Sequence, residues 1–370
     1  MESNNIKILL VSNLPTKYFV DYAKELAKYV DLTVVIEKNM NLHKKKPFEF
    51  DYSQLGFKLF FLEGFKINSE NYLSFKILNI IKNNIYKYIV FANPLTATGI
   101  IGELYCKKHK IPYICQSEGG FQGKGNGIKE KIKELVLKDA VFYLTGCPKE
   151  NNYFLKYGAT ESQLKRYNFT SHYSRDIDSS LLDDGEKKII KKSLLIKEEL
   201  IILCVAQFIH RKGIDTLLKA CHDLPNNVGI YIIGGTPTKE YISLIDKLKL
   251  SNVHFIERIE QEKLANYYRV SDIFVLLTRK DIWGLVINEA MAHGLPVITT
   301  TAAQSGIVLI KDNENGFLVS PEDSEAANSK ILFLLNNPEI RIAMGKNNLK
   351  KIKDWTLENM AKQIAGYLTE

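Results

Sequence analysis

The chain has 370 residues, a length that predicts two domains, each large enough to bury its own core. Hydrophobic residues make up 45% of the sequence and charged residues 25%, the globular average, which excludes a disordered or low-complexity chain. Its five cysteines are scattered and form no C-x-x-C pair, which indicates reduced thiols and excludes a small disulfide-stapled fold.

The sequence carries no signal of export or membrane insertion. Its N-terminal MESNNIKILLVSN enters a short apolar run directly, without the basic and long apolar regions of a signal peptide. Apolar runs such as residues 201–206 are far shorter than a membrane-spanning helix requires. We therefore expect a cytoplasmic protein, either soluble or bound peripherally to the inner face of the plasma membrane.

Positive charge is concentrated in the first half of the chain. Residues 1–170 contain 25 Lys and Arg against 16 Asp and Glu, a net charge of +9, whereas the remainder has a net charge of −1. This asymmetry indicates an anionic partner or a codon bias toward lysine. Nucleic acid is disfavoured as that partner because no recognition helix, RNP-like strand or zinc module accompanies the basic residues.

Short runs rich in β-branched residues alternate with helix-length amphipathic stretches, which is the pattern of parallel sheets built from βαβ units. The strands predicted in chain order are 6–12, 32–36, 58–62, 88–92, 112–116, 141–145, 201–206, 229–233, 253–256, 273–277, 296–300 and 317–319. A polar, strandless stretch separates two complete sets. We predict an α/β protein with two doubly wound Rossmann-like domains facing across a cleft, residues 1–172 and 199–353, joined by a linker at 173–198.

The most specific segment, RKDIWGLVINEAMAHGLPVI at residues 279–298, follows a predicted strand. Gly284 opens a short helix there, and backbone amides at such a helix start form a natural site for an anion such as a pyrophosphate. Glu289 lies within that helix among apolar residues, where an unpaired carboxylate is costly, so we expect it to meet hydroxyls or a cation. The alternative is an ordinary carboxylate on the helix surface.

This segment resembles the E-x7-E signature of family 4 glycosyltransferases, which are retaining enzymes with the GT-B fold. Asp281 and Glu289 have the required separation, although the first acid is Asp rather than the usual Glu. The resemblance implies that Glu289 holds the ribose of a nucleotide sugar and that Asp281 is a catalytic group beside the transferred sugar. It also implies that Gly284, Leu285 and Val286 meet the diphosphate.

A second segment, VAQFIHRKGIDTLL at residues 205–218, resembles the part of the family in which an arginine and a lysine clamp the donor diphosphate. Gln207 stands where the arginine is usual, Lys212 matches the lysine, and Arg211 is the candidate to compensate for the missing guanidinium. The alternative is a solvated Arg-Lys pair. Weaker matches after the next two strands add Gly234, Arg258 and Ile259 to the predicted donor site.

The first domain resembles the family less, as expected if it binds the acceptor. Glu118 stands where many members place a histidine facing the transferred sugar. It is predicted either to assist catalysis by binding a sugar hydroxyl or stabilising charge at the anomeric carbon, or to cap the glycine-rich loop. Ser12, Asn13, Gly119 and Gly120 are the predicted acceptor-binding residues. The C-terminal residues 354–370 look like the helix that crosses back to the first domain in this fold.

No metal or other cofactor is expected. The seven histidines show no ligand spacing, and the single D-x-D, Asp176-Ile177-Asp178, lies in the polar linker without a preceding apolar strand. In the front-face mechanism usually drawn for this family, the departing phosphate takes the acceptor proton, and the protein supplies placement and charge stabilisation. Lys212, Arg211 and the helix at Gly284 would stabilise the leaving diphosphate.

One further stretch, residues 128–138, places Ile128, Ile132, Leu135 and Val136 on one helical face and lysines on the other. Such a helix can lie on an anionic membrane or cover a sheet, and we favour the sheet for its apolar face. Its lysines and residues 44–46 can still attract lipid phosphates.

The sequence therefore predicts a retaining, metal-independent glycosyltransferase. It would move a sugar from a nucleotide diphosphate sugar, with a UDP-sugar favoured, to a glycan acceptor, expected to be lipid-linked. By analogy with the family, the setting is bacterial capsule, lipopolysaccharide or exopolysaccharide synthesis. The alternatives are a catalytically silent binding or chaperone subunit of the same fold, and a sugar-nucleotide epimerase or hydrolase.

Overall fold

A computed structural model describes residues 6–37, 55–68, 71–117 and 127–370. The chain forms two compact units. The first comprises Met1–Ser171 together with Thr356–Glu370, and the second comprises His172–Trp355. The C-terminal segment therefore belongs to the first unit, although the whole second unit precedes it in sequence.

The first unit is built on a parallel sheet with a small separate hairpin. Its strands are β1 Lys7–Ser12, β2 Asp31–Ile36, β3 Lys58–Phe61, β4 Phe65–Lys66, β5 Tyr72–Leu73, β6 Tyr88–Phe91, β7 Tyr113–Gln116, β8 Tyr143–Thr145 and β9 Leu164–Arg166. Seven of them pair in the parallel order β3-β2-β1-β6-β7-β8-β9, and β4 pairs with β5 antiparallel.

The second unit is built on a six-stranded sheet. Its strands are β10 Leu200–Val205, β11 Val228–Ile233, β12 Val253–Ile256, β13 Ile273–Leu276, β14 Val297–Thr300 and β15 Gly316–Val319. They run parallel in the order β12-β11-β10-β13-β14-β15. The chain starts in the middle of each sheet, builds outward to one side and then to the other, which is the doubly wound arrangement.

Helices connect the strands of both sheets. They are α1 Lys17–Leu26, α2 Lys76–Lys82, α3 Ala97–His109, α4 Gly127–Leu137, α5 Pro148–Lys156, α6 Asp184–Ser193, α7 Ile214–Ala220, α8 Lys239–Leu248, α9 Gln261–Val270, α10 Leu285–Ala292, α11 Gln304–Leu309, α12 Ser324–Asn336, α13 Pro338–Ile352 and α14 Leu357–Thr369. In the part of the chain that the structure describes, no helix has the length and apolar composition needed to cross a membrane.

The predicted fold class is confirmed: each unit is a Rossmann-like parallel sheet. All twelve predicted strands are present, and their ends lie within two residues of the predicted ones. The central strands read as unbroken apolar runs because they are buried on both faces, as in β14, where every residue is buried. The sequence missed β4, β5 and β9, which have only two or three residues and so show no periodicity.

The C-terminal helix α14 packs against α1 in the first unit. Its inward face is apolar, with Leu357, Met360 and Ile364 fully buried. Two polar contacts fix it to the end of the sheet. The Tyr367 hydroxyl donates to the Arg166 carbonyl at 2.8 Å, and the Gln363 side chain accepts from the Asn168 amide at 2.8 Å.

The structure places residues 173–198, predicted as a linker, within the second unit. Asp178 lies 2.8 Å from the Arg269 guanidinium on α9 and accepts two further hydrogen bonds from it. Leu181 packs against Gly294. Sequence polarity alone indicates a solvated segment, but Asp178 has its ion-pair partner about ninety residues further along the chain.

The prediction that the apolar face of α4 covers the sheet is wrong for most of that face. Ile128 is 78% exposed, Ile132 39% and Leu135 49%, and only Val136 and Leu137 at the end of the helix are buried. The periodicity correctly grouped the apolar residues on one side of the helix. It carries no information on what that side faces, because a buried face and an open face have the same pattern.

Glu37 and Glu103 are two of the buried carboxyl groups in the first unit. Glu37, just after β2, accepts a hydrogen bond from the Thr96 hydroxyl, and burial raises its pKa to about 7. Glu103 on α3 contacts the buried Cys115 thiol at 3.8 Å, and burial, opposed by that hydrogen bond, raises its pKa well above the usual range. Each has one carboxyl oxygen that finds no hydrogen-bond partner among the residues that the structure describes. Neutral carboxyl groups are therefore the form that this core favours.

Stability should depend on pH through these groups. A carboxyl group whose pKa is higher in the folded than in the unfolded state binds protons on folding, so its contribution is complete below about pH 4.5 and declines as pH rises. The substitution Glu103→Gln, which introduces a neutral isostere, should therefore raise the Tm at pH 8 by about 3 °C or more and raise it less at pH 5. Thermal unfolding of the intact chain at both pH values measures this difference.

The matched control is Glu134→Gln, since Glu134 is an exposed residue of α4. It should change the Tm equally little at both pH values. A Glu103→Gln effect that is the same at pH 5 and pH 8 would contradict the assignment of a neutral carboxyl group at position 103.

Candidate functional site

The carboxyl ends of the six strands of the second sheet meet at one edge, because all six run parallel. The predicted donor residues all follow four neighbouring strands at that edge. They are Gln207, Arg211 and Lys212 after β10, Gly234 after β11, Arg258 and Ile259 after β12, and Asp281, Gly284, Leu285, Val286 and Glu289 after β13. Two segments far apart in sequence are thus brought to the same edge by the β10–β13 pairing.

Gly284 is the N-cap of α10 and has a φ of 97°, a left-handed conformation that favours glycine. A Cβ at this position would lie 3.1 Å from the Ser305 hydroxyl. That hydroxyl donates to the Trp283 carbonyl at 2.7 Å and so holds the turn in place. Helix geometry leaves the amides of Leu285 and Val286 without an intrahelical acceptor, and the helix dipole adds positive potential, so this end of the helix favours an anion.

Lys212 and Arg211 converge on Asp281 beside this helix. The Lys212 ammonium lies 2.5 Å from Asp281 Oδ2, and the Arg211 guanidinium lies 3.5 Å from Oδ1. Arg211 also donates to the Lys280 carbonyl at 2.9 Å. Asp281 is 7% exposed, so its ionised carboxylate depends on these partners. Two cations facing one carboxylate leave one net positive charge near the start of α10.

Arg279 holds the turn that carries Arg211 and Lys212 in place. Its guanidinium forms two hydrogen bonds with the Asp215 carboxylate, at 2.8 and 2.7 Å, and a third with the His210 carbonyl at 2.7 Å. Although burial acts to raise it, the hydrogen bonds from Arg279 bring the pKa of Asp215 below its usual range. The backbone amide of Arg279 and the hydroxyl of Thr278 both donate to the Arg211 carbonyl at 2.9 Å. The cationic turn is therefore fixed to the end of β13.

Glu289 is half-buried on α10, one helical turn before its C-terminus. The Tyr268 hydroxyl on α9 donates to Glu289 Oε2 at 2.9 Å. Burial is the main reason that the pKa of Tyr268 is well above its usual range, with the negative charge of Glu289 adding to it. Tyr268 therefore stays protonated and acts as a donor.

Sequence reasoning missed three residues of this site. Tyr268 belongs to α9, a helix that carries none of the motifs, and Ser305 follows β14. Arg279 stands inside the quoted motif, but nothing in its sequence position indicates that it holds the turn after β10. Only the order of the strands brings these residues together, and that order could not be read from local sequence.

Asp178, part of the D-x-D discounted as a metal site, faces Arg269 and the His293 ring rather than solvent. Its own burial acts to raise its pKa, but the hydrogen bonds from His293 and Arg269 prevail and lower it. Within the described ranges, no three His, Cys, Asp or Glu side chains are grouped as a metal site would require.

The predicted acceptor residues Ser12 and Asn13 lie at the carboxyl edge of the first sheet, at the end of β1. Ser12 is buried, and the Asn13 side chain accepts a hydrogen bond of 2.9 Å from Asn93, which follows β6. Glu37 is bonded to Ser12 through the backbone, its amide donating to the Ser12 carbonyl at 2.9 Å. Glu118, Gly119, Gly120 and the lysines at 44–46 lie outside the described residues.

Comparison with known proteins gives a consistent result. Residues 185–351 match the family described as glycosyl transferases group 1. An uncharacterised glycosyltransferase of Methanocaldococcus jannaschii is 27% identical over 267 residues, which cover 70% of this chain and 69% of that protein. A capsular polysaccharide biosynthesis glycosyltransferase of Staphylococcus aureus is 29% identical over 46% of each chain, so this match spans less than half of that relative.

Solved structures extend the likeness to the whole chain. The Anabaena protein HepE, solved in complex with UDP, superposes with a TM-score of 0.80 at 15% identity, covering 98% of this chain and all of that one. At this level of identity the match concerns the fold, which is that of GT-B glycosyltransferases.

Gly213 offers a direct test of the cationic turn. It has a φ of 67°, and a Cβ there would lie 1.9 Å from the Leu277 carbonyl oxygen. We expect Gly213→Ala to destabilise the second unit by about 2 kcal/mol or more, because neither the backbone nor β13 can move away. Urea unfolding measures the loss.

Gly366→Ala is the control, since a Cβ on this residue of α14 meets nothing within 4 Å. It should be neutral or slightly stabilising, as expected for alanine within a helix. Equal stability of the two variants would show that the turn after β10 is not packed as described.

Proposed function

We propose, from the match of residues 185–351 to the group 1 glycosyl transferases, that this chain transfers a sugar from a nucleotide diphosphate sugar to a glycan acceptor with retention of anomeric configuration. The observation that carries this proposal is the convergence of Lys212, Arg211 and the start of α10 at the carboxyl edge of the second sheet. Ligands of open parallel sheets bind at this edge.

The diphosphate of the donor would lie against the first turn of α10. Amides at Gly284, Leu285 and Val286 supply hydrogen bonds to phosphate oxygens, and Lys212 supplies charge. As the bond between the sugar and the phosphate breaks, negative charge grows on the leaving diphosphate. Groups already placed to meet that charge lower the barrier without having to reorganise.

Glu289 would bind the ribose hydroxyls, and Asp281 would lie beside the transferred sugar. A carboxylate accepts hydrogen bonds only, which suits the diol of a ribose. A UDP-sugar is the favoured donor, supported by the UDP complex of the structurally similar HepE. Gln207, Gly234, Arg258 and Ile259 follow strands at the same edge and would complete the donor site.

The reaction would proceed without a metal ion. Two cations and a helix N-terminus provide the positive charge that a divalent metal supplies elsewhere, and Asp281 already has Lys212 as its counter-ion. In a front-face mechanism the leaving phosphate accepts the proton of the acceptor hydroxyl, so the protein need not provide a strong base. Glu118 is still predicted to be a second carboxylate near the transferred sugar.

The glycan acceptor would be lipid-linked, and the setting would be surface polysaccharide synthesis, as the capsular relative suggests. The exposed apolar face of α4 favours a membrane surface at the cytoplasmic side as a further partner. Ile128, Ile132 and Leu135 are open to solvent there, and Lys129 and Lys131 on the same helix are also exposed. Such a helix can insert its apolar side among lipids while its lysines meet anionic headgroups.

A silent binding subunit or an epimerase or hydrolase of the same fold would share the nucleotide site. They differ in product: a silent subunit consumes no nucleotide sugar, and an epimerase or hydrolase consumes it without an acceptor. The cation-rich site and its intact carboxylate at position 289 favour transfer, because a silent subunit does not need them.

Nucleotide binding gives the first test. A nucleoside diphosphate that binds only the folded protein should stabilise it by about 2.7 kcal/mol at a hundredfold excess over its Kd. We expect one of UDP, GDP and ADP to do so, whether or not EDTA is present. Lys212→Ala and Glu289→Ala should each weaken binding about tenfold or more, since each removes a hydrogen bond to a charged group. Thermal unfolding with each nucleotide measures these changes.

The control is Lys247→Ala, which removes the same charge from an exposed position near the end of α8, away from the carboxyl edge. It should leave nucleotide binding unchanged. No stabilisation by any of the three nucleotides would contradict the proposed function, and a loss of binding in EDTA would contradict only metal independence.

Membrane binding is tested separately. The double substitution Ile128→Ser and Leu135→Ser should lower binding to vesicles containing anionic phospholipid about tenfold or more, because two exposed apolar side chains lose their lipid contacts. Vesicle co-sedimentation measures it. Ile189→Ser, at a residue of α6 that is 72% exposed, is the control and should have no effect. Equal binding by all variants would remove α4 from the membrane surface.

A further inference from the structure

Tyr268 belongs to the proposed nucleotide site but lies outside the sequence motifs that predicted that site. It is 1% exposed, lies on α9, and its hydroxyl donates to Glu289 Oε2 at 2.9 Å. A buried tyrosine usually satisfies its hydroxyl with a main-chain carbonyl or a water molecule. Here the partner is the carboxylate that the proposed function assigns to the ribose, which makes the contact charge-assisted.

The ring of Tyr268 is held on two sides. The imidazole of His293 stacks on it with ring centroids 5.4 Å apart and planes at 20°, and Phe274 of β13 lies at 5.9 Å. A ring packed in this way has one orientation, so the direction of its hydroxyl is fixed. The position of Glu289 Oε2 is therefore defined by packing within the unit as well as by α10 itself.

His293 is in turn fixed by the segment before α6. Its Nδ1 lies 2.8 Å from Asp178 Oδ2, and the same carboxylate receives hydrogen bonds from Arg269 on α9. An ionised carboxylate only accepts hydrogen bonds, so Nδ1 of His293 is the donor. Asp178, His293 and Tyr268 form a continuous support behind Glu289, and each member comes from a different element.

This support restricts one side of the carboxylate, where the Tyr268 hydroxyl occupies one of its acceptor positions. The carboxylate of an unsupported glutamate rotates freely and loses that freedom when a ribose binds. One that is already oriented loses less, and its hydrogen bonds to the two ribose hydroxyls are better aligned.

We propose that Tyr268 is a positioning residue that orients the Glu289 carboxylate for the ribose diol of the nucleotide. This inference rests on the proposed function, in which Glu289 binds the ribose. It assigns no contact between Tyr268 and the nucleotide. Its effect should therefore pass entirely through Glu289 and should concern the ribose hydroxyls, not the diphosphate.

Isothermal titration of the intact chain with UDP and with 2′-deoxy-UDP and 3′-deoxy-UDP tests this assignment. If GDP or ADP is the nucleotide that stabilises the protein, its deoxy analogues are used. Tyr268→Phe keeps the ring and removes only the hydroxyl. We expect it to weaken binding of the ribonucleotide by up to about tenfold, the cost of ordering one flexible side chain on binding. Binding of the deoxy analogues should change much less, so the preference for the ribonucleotide falls.

Two further variants separate positioning from a general structural effect. Tyr267→Phe removes the hydroxyl of the adjacent tyrosine on α9, which packs near Tyr231 instead, and should leave the preference unchanged. In a Glu289→Ala background, Tyr268→Phe should cause no further loss of affinity, because its only route to the ribose has been removed.

The outcomes are distinct. A reduced ribose preference in Tyr268→Phe, absent in the double variant, supports the inference. An unchanged ribose preference overturns the inference and leaves the proposed function intact. A loss of affinity in Tyr268→Phe that persists in the Glu289→Ala background also overturns it, because such a loss is a general structural effect. If the native chain binds none of the nucleotides, the proposed function fails and the inference with it.

Discussion

All six strands of the second sheet run parallel, and this single constraint decides where the chemistry of the unit gathers. The loop after β10 carries Lys212 and the loop after β13 carries Asp281, about seventy residues later, yet the two side chains touch. A parallel sheet needs a helical crossover for every strand, so each loop at the carboxyl edge begins a helix. The edge therefore collects both the polar loop residues and the positive ends of helix dipoles.

The positive and negative charges of the side chains at this edge do not cancel. Asp281 neutralises one cation, Arg279 is fully engaged with Asp215 and its neighbours, and one positive charge and the start of α10 remain for an anionic ligand. Lys212 keeps its position because the turn that carries it is fixed to the end of β13. Under the proposed function, such a site would need little rearrangement to bind a diphosphate, which is the condition for electrostatic stabilisation of a leaving group.

The fold class and part of the candidate site could be predicted from the sequence, because they depend on local sequence patterns. Strands buried on both faces are unbroken apolar runs, and Gly284 marks a turn that other residues would strain, so the fold class and the start of α10 could both be predicted. The remainder depends on contacts distant in sequence. Tyr268 reaches Glu289 from another helix, and Asp178 looks like a solvated linker residue until Arg269 is brought to it by the fold. The open face of α4 has the same periodicity as a buried one, so its exposure was also out of reach.

In the proposed mode of donor binding, the diphosphate of a nucleotide sugar is held between Lys212 and the first turn of α10. A crystal structure of the chain with the nucleoside diphosphate that stabilises it most is the most direct measurement. We expect phosphate oxygens within hydrogen-bonding distance of the Lys212 ammonium and of the amides at Leu285 and Val286, with the ribose on Glu289. A nucleotide bound elsewhere, or one whose phosphates point away from α10, would contradict it.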